Sequence, residues 1–159
     1  MQKEQSLTLD LATAKIEAYC SKAEHCTSEV VTKLKSWNIN ERQIAEIVAR
    51  LCKEKYINDL RYSRCYVKDK FRYNHWGRIK ITQALRVKNI NEDDIKEAIE
   101  ELDQQEYETT LKRLLAQKRK SIKASSDYER NGKLVRFALG RGFEMSFIIN
   151  YLNLDEDFL

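Results

Sequence analysis

Proline is absent from this 159-residue chain and glycine occurs only four times. No proline therefore breaks a helical pattern anywhere along it. Runs of strict apolar/polar alternation are lacking, so half-buried strands are not expected. No apolar run approaches the roughly 20 residues needed to span a membrane, and the first residues lack the pattern of a signal peptide. The four cysteines, Cys20, Cys26, Cys52 and Cys65, have no C-x-x-C spacing. His25-Cys26 has no second ligand pair at zinc spacing, so no metal is expected. Thiols without a secretory signal imply a reducing, cytoplasmic compartment.

Catalytic signatures are missing as well. The two histidines, His25 and His75, have no partners that suggest a triad or a metal helix. The phosphate-binding patterns G-x-x-x-x-G-K-[ST] and G-x-G-x-x-G are absent. Gly140 and Gly142 form the one close glycine pair, and Gly142 has a structural position described below. Glu100, Glu101 and Asp103 mimic paired carboxylates, but on an exposed helix such a run is a solubilising face. No enzyme and no cofactor are read here.

What is present is a repeat. Asn38-Ile39-Asn40-Glu41 recurs as Asn89-Ile90-Asn91-Glu92. Leu34 then matches Leu85, Ile44 matches Ile95 and Leu51 matches Leu102. A weaker third copy has Gly142-Phe143-Glu144 in the same slot and Ile148 in place of Ile95. Apolar residues after each joint fall at i, i+3, i+4, i+7, as in Ile44, Ile47, Val48 and Leu51, which lines one face of a helix. Asn38, Asn89 and Gly142 fit the left-handed C′ position. Asn40 and Asn91 fit the N-cap of the next helix, with Gln43 three residues on. Ile39 with Ile44, Ile90 with Ile95 and Phe143 with Ile148 have hydrophobic-staple spacing.

The expected fold is all-α: an elongated right-handed or curved array of three tandem three-helix repeats, at 1–57, 58–106 and 107–154, followed by an acidic tail at 155–159. In the middle repeat the helices are expected at about 59–73, 77–88 and 92–106. The first helix of the last repeat is expected at about 108–122, with a break at Ser125-Ser126-Asp127. Leu60, Val67 and Phe71 lie on one side of the first helix of the middle repeat, and Tyr62, Cys65, Tyr66 and Tyr73 on another. Two apolar faces suit a helix between two repeats.

The net charge is only +4, but charge is segregated. Nine Lys or Arg and one acid, Asp69, lie between Arg61 and Lys88. Ten basic residues lie between Lys112 and Arg141 against Asp127 and Glu129. Between these segments, Glu92 to Glu108 holds nine acids and one base, Lys96. Arg61, Arg64, Lys68 and Arg72 share one helical stripe that should face solvent. Lys118, Arg119, Lys120 and Lys123 form a second cluster. Arg78, Lys80, Arg136 and Arg141 belong to the same two basic segments. Such patches attract polyanions, either nucleic acid or acidic protein.

The stretch Tyr56-Ile57-Asn58-Asp59-Leu60-Arg61-Tyr62-Ser63-Arg64-Cys65-Tyr66-Val67, followed by Gly77 to Leu85 and by Asn89-Ile90, resembles the middle repeat of the RecX regulatory family. Lys133 to Phe143 resembles that family's third repeat. The order of pieces, the period and the length carry the resemblance, from about Ala14 to Leu152. The family usually has glycine at the joints, where two of three joints here carry asparagine. Cys26-Thr27 stands where a basic residue followed by Ser or Thr is common. The resemblance implies a cytoplasmic modulator of RecA recombinase that lies in the groove of the RecA–DNA filament. It implies inhibition of filament extension, strand exchange, ATP hydrolysis and repressor cleavage, with no cofactor and no catalytic residue. The expected partner is the RecA nucleoprotein filament, bound by a monomer, with non-specific contact to DNA phosphate and no membrane. The alternative is a DNA-binding protein, non-specific or of helix-turn-helix type, acting through its basic faces; the expected third helix of the middle repeat is acidic and would repel phosphate, which argues against base reading by that helix.

Overall fold

In the computed structural model, residues 8–155 are described; of the expected acidic tail, residues 156–159 lie outside them. Nine α-helices and no strand occur among the described residues. They fall in threes: α1 (Leu9–Lys22), α2 (Thr27–Ser36) and α3 (Glu41–Lys53), then α4 (Asp59–Asn74), α5 (Arg78–Val87) and α6 (Glu92–Glu100), then α7 (Gln104–Ser121), α8 (Asp127–Gly140) and α9 (Met145–Leu152).

The three joints share one backbone shape. Asn38 and Asn89 have φ 59° and 58°, and Gly142 has φ 90°. The next residue's N–H reaches back five positions: Ile39 to the Leu34 carbonyl at 3.3 Å, Ile90 to Leu85 at 3.3 Å and Phe143 to Ala138 at 3.2 Å. The left-handed residue itself donates to the carbonyl three before it, at 3.0, 2.9 and 2.9 Å respectively. This double bond pattern is the Schellman motif, which satisfies carbonyls the helix leaves open. Ile39, Ile90 and Phe143 are buried along with Ile44, Ile95 and Ile148. Asn40 accepts from the Gln43 N–H at 2.8 Å and Asn91 from the Asp94 N–H at 2.8 Å, as N-caps do. Lys55, His75 and Asn153 are also left-handed, at φ 62°, 55° and 51°. No sequence signal marked Lys55 or His75, whereas Asn153 follows its helix as an asparagine, like Asn38 and Asn89.

Two boundaries differ from expectation. Helix α6 ends at Glu100 rather than near Glu106, and α7 already starts at Gln104. The cause is Asp103, whose carboxylate accepts from the Glu106 N–H at 2.7 Å and opens the new helix. The run of acids around it hid a cap. The second apolar face of α4 is also thinner than its composition suggests. Tyr62 is buried, but Cys65 is exposed and Tyr73 is 80% exposed.

The chain forms two compact units that do not coincide with the repeats: Met1–Cys65 with Leu85–Ile95, and Tyr66–Ala84 with Lys96–Leu159. The middle repeat is divided between them, as expected where each repeat completes its core with residues from a neighbour. The first unit's core gathers Ala12, Ile16, Val30, Leu34, Ile47, Leu51 and Ile57. In the second unit Tyr107 is fully buried, with ring centroids 5.7 Å from Phe71, 5.2 Å from Phe143 and 6.0 Å from Phe147.

Within this second unit the start of α5 is clasped. The Gly77 N–H donates to the Arg141 carbonyl at 2.7 Å, the Arg78 N–H to the Tyr107 hydroxyl at 3.0 Å, and the Ile79 N–H to the Gly142 carbonyl at 3.0 Å. All three would otherwise be open donors at a helix N-terminus. The approach requires glycine on both sides. A Cβ at residue 77 would sit 2.4 Å from the Gly142 carbonyl carbon, and one at residue 142 would sit 2.3 Å from Lys80 Cβ.

Gly77→Ala is therefore expected to cost about 3 kcal/mol, because backbone atoms rather than a flexible side chain must move. For a chain of this size that lowers Tm by roughly 5–10 °C in a circular-dichroism melt. Asn89→Ala should cost about 1 kcal/mol, the penalty of a left-handed L-residue without an Asn side chain. A Gly77→Ala protein that melts with wild type contradicts the clasp.

Candidate functional site

The basic residues sort into those the fold uses and those it leaves outward. In the first unit, Arg61 does not point to solvent as its helical stripe suggested. Its Nε donates to Glu24 at 2.6 Å, and its other nitrogens donate to the Lys55 and Tyr56 carbonyls at 3.1 and 3.3 Å. Those carbonyls belong to the left-handed joint after α3, so Arg61 closes that joint. Arg64 is half-buried and also engaged within the fold.

In the second unit, Arg78 donates to Glu144 at 2.9 Å and to Gln104 at 2.8 Å, and its guanidinium carbon lies 3.8 Å from the Tyr107 ring centroid. Arg141 donates to the Asn74 carbonyl at 2.9 Å and lies over Phe137. Lys80 rests 4.6 Å from the centre of Trp76, which Lys70 approaches from 4.9 Å. Lys118 is half-buried over Phe137 at 5.2 Å.

The remaining candidates are outward. Lys68, Arg72, Arg119, Lys120, Lys123 and Arg136 are exposed, all in the second unit. Arg72 has a distant acid, Glu106, at 4.0 Å. Lys68, Arg119, Lys120, Lys123 and Arg136 have no acidic partner among the described residues. Lys68 and Arg72 are four positions apart, so the two share a face of α4. Lys118, Arg119 and Lys120 occupy the last turn of α7, where positive charge suits the helix dipole.

Sequence reasoning missed a motif built twice. In the first unit, the Tyr62 hydroxyl donates to Glu29 at 2.9 Å and Lys88 Nζ donates to the same oxygen at 2.9 Å. Lys88 also lies 5.9 Å from the Tyr62 ring centroid. In the second unit, the Tyr107 hydroxyl donates to Glu144, Arg78 donates to the other Glu144 oxygen, and Arg78 stacks on the Tyr107 ring. Each triad has a tyrosine, a glutamate and a cation over the ring. A sequence signal existed: each tyrosine stands four residues after the helix-opening Asn58 or Asp103.

The two glutamates solve different local problems. Glu29 also bonds His25 Nδ1 at 2.8 Å, and that ring stacks on Tyr19 at 3.8 Å. Burial raises the carboxyl's pKa, but hydrogen bonds from Lys88, His25 and Tyr62 outweigh it and hold the group below its ordinary value. Glu144 occupies the slot of Asn40 and Asn91 but does not cap α9; its side chain goes to Tyr107 and Arg78 instead. The Tyr107 hydroxyl is pushed far up, first by burial and then by the Glu144 carboxylate, so it remains a donor at any accessible pH. These clusters hold helices together. The described residues include no group of three or more His, Cys, Asp and Glu side chains able to hold a metal. No helix in them is long and apolar enough to cross a membrane.

Comparison with known proteins agrees with the repeat pattern. Residues 58–99 match the family model "RecX, second three-helix domain", and residues 105–152 match "RecX, third three-helix domain". A curated relative named "Regulatory protein RecX", from Vibrio parahaemolyticus, is 31% identical over 157 residues, which is 98% of this chain and 98% of that protein. The protein of the same name from Oceanobacillus iheyensis is 26% identical over 97% of this chain, which spans only 58% of that longer relative. The crystal structure of RecX from Lactobacillus salivarius superposes with a TM-score of 0.82 at 23% identity, covering 91% of this chain and 94% of that one. This last likeness concerns the fold.

The Glu29 cluster makes stability depend on pH. Its folded pKa lies below the ordinary 4.5, so as pH falls the unfolded chain takes up the proton first. The contribution is complete above that ordinary value and disappears as pH drops through the folded pKa. Glu29→Gln should cost about 1–3 kcal/mol at neutral pH, by leaving Lys88 without its counter-charge. It should also flatten the fall in stability measured by urea unfolding between about pH 5 and pH 3. An unchanged acid limb in the variant counts against the cluster.

Proposed function

We propose that this chain, which belongs to the RecX family of regulatory proteins, regulates RecA by binding the RecA–DNA filament and restraining its extension, strand exchange and ATPase activity. The observation that carries this reading is the division of labour among the cations. Arg61, Arg78 and Arg141 are used to build the repeats, whereas Lys68, Arg72, Arg119, Lys120 and Lys123 face outward. An outward cation that is unpaired, or like Arg72 is in a loose, exposed ion pair with Glu106, gains little for stability and is available to an anionic partner. Separate basic edges within one protein let modest contacts add through avidity on a polymer. The family's name describes a regulator and no catalysis. The site of action is the cytoplasm, and the acting form is a monomer.

A second reading, binding to DNA alone, has support for phosphate contact but little for base reading. If the middle repeat used α6 as a recognition helix, its N-terminal residues would meet the major groove. Those residues are Glu92, Asp93 and Asp94. They repel phosphate, and Asp94 is already bonded to Asn91.

The test is ATP hydrolysis by the cognate RecA on single-stranded DNA, titrated with wild type and with two charge variants. Lys68→Ala/Arg72→Ala and Arg119→Ala/Lys120→Ala/Lys123→Ala should each fold with Tm close to wild type, since exposed substitutions change stability by about 0.5 kcal/mol or less. Each should lose about tenfold in inhibitory potency, and the two sets combined should lose more. Variants that inhibit as wild type does remove these edges from the site. A wild-type chain without effect on RecA removes the proposed function. Titration of DNA alone at two salt concentrations separates the readings, because pure phosphate binding collapses as salt rises.

A further inference from the structure

The outward face of α8 in the second unit does not look like ordinary helix surface. Tyr128 is 75% exposed and Leu139 is 42% exposed. Between them lies Gly132, well inside the helix, where glycine is less favourable than alanine. Two of the four glycines, Gly77 and Gly142, are explained by backbone contact, but a Cβ on Gly132 would meet nothing within 4 Å. The fold therefore gives no reason for glycine at this position. Tyr128, Gly132, Val135 and Leu139 follow i, i+4, i+7, i+11, the spacing that lines one side of a helix. With Met145 at the start of α9 they line an open groove of about 460 Å³.

Charge narrows what the groove would accept. Arg136, on its edge, is exposed and has no acidic partner among the described residues. The acid on the other edge, Glu129, is already held by Ser125 Oγ at 2.6 Å and Lys133 at 3.2 Å. The groove thus has an apolar floor, a low point where a side chain is missing, and one uncommitted positive charge.

We propose that this face docks an α-helix of a partner protein, with an apolar stripe seated over Gly132 and an acidic residue opposite Arg136. A missing side chain lets a second helix come closer than the usual spacing. Apolar burial then supplies affinity and the ion pair fixes orientation. The inference goes beyond the filament reading, because it needs no contact with RecA or DNA.

The probe is a synthetic helical peptide with leucines at i, i+4, i+7 and i+11 and a glutamate on the edge of that stripe. It is titrated into the full chain while the methyl NMR signals of Val135, Leu139 and Met145 are followed. The expected result is movement of those signals. Binding should weaken about tenfold in Gly132→Leu, which fills the low point. It should weaken about threefold or more when the peptide glutamate becomes lysine or when Arg136 becomes glutamate. Gly132→Ala should hold or raise Tm, because its Cβ has open space and alanine favours helix; a fall in Tm shows that the glycine serves the fold and overturns the argument. Signals that do not move, binding unaffected by Gly132→Leu, or equal binding of a peptide with its leucines replaced by alanine also overturn it. A concentration-dependent dimer that Gly132→Leu dissolves assigns the face to a second copy of this chain and overturns the partner helix.

Discussion

A helix end packed inside a protein must find partners for backbone groups that the helix itself leaves open, and this chain does so without proline and with two working glycines. The left-handed joint is its main device. Each joint fixes a left-handed residue, returns two N–H groups to the preceding helix, and aims an apolar residue into the core. Left-handed geometry costs an ordinary residue roughly 1–2 kcal/mol. Two returned hydrogen bonds and a buried isoleucine or phenylalanine offset that cost. Lys55 and His75 show how strongly the surroundings impose the shape, since neither residue type favours it as glycine does. Where the joint is tightest, at α5, the neighbouring loop's carbonyls replace a side-chain cap, and glycine becomes obligatory at both Gly77 and Gly142.

The same demand accounts for the fate of the charges. Arg61 ends on the carbonyls of a left-handed joint, and Arg141 on the carbonyl of Asn74, just before another. Arginine suits this role because its planar fork reaches several oxygens at once. Lys68, Lys120 and Lys123 take no such role and remain at the surface. Counting basic residues along the chain therefore overstates how many the fold leaves uncommitted. Arginines within the joint-forming segments are structural, and the exposed cations on α4, α7 and α8 are what a partner can reach.

Much of the fold was legible in the chain because its determinants are local. A repeated tetrapeptide specified a left-handed residue, an apolar staple and an N-cap. Those features need only neighbours in sequence, and the structure places Asn38, Asn89 and Gly142 accordingly. Asp103 was also local, but its capping role was concealed within an acidic run. Of the Tyr62–Glu29–Lys88 and Tyr107–Glu144–Arg78 clusters, only the place of each tyrosine, four residues after the helix-opening Asn58 or Asp103, was legible. Their members are separated by 26 to 66 positions, and no residue type in them is unusual by itself. The candidate site was legible only as a composition. Sequence gave twelve basic residues, but which of them the fold consumes depends on carbonyls and rings supplied from other segments.

Glycine separates constraint from opportunity. Gly77 and Gly142 sit where any Cβ would strike backbone, so packing alone explains them. Gly140 lies at the end of α8, where helix-breaking costs little. Gly132 has no such account. It stands one turn from an exposed tyrosine and two turns from an exposed leucine, in a helix whose opposite side buries Leu134 and Ala138. A residue that weakens its own helix and relieves no contact within the chain points outward for its explanation. The joints hold the repeats in shape, the arginines close the joints, and the positions left unexplained by either are those most open to a partner.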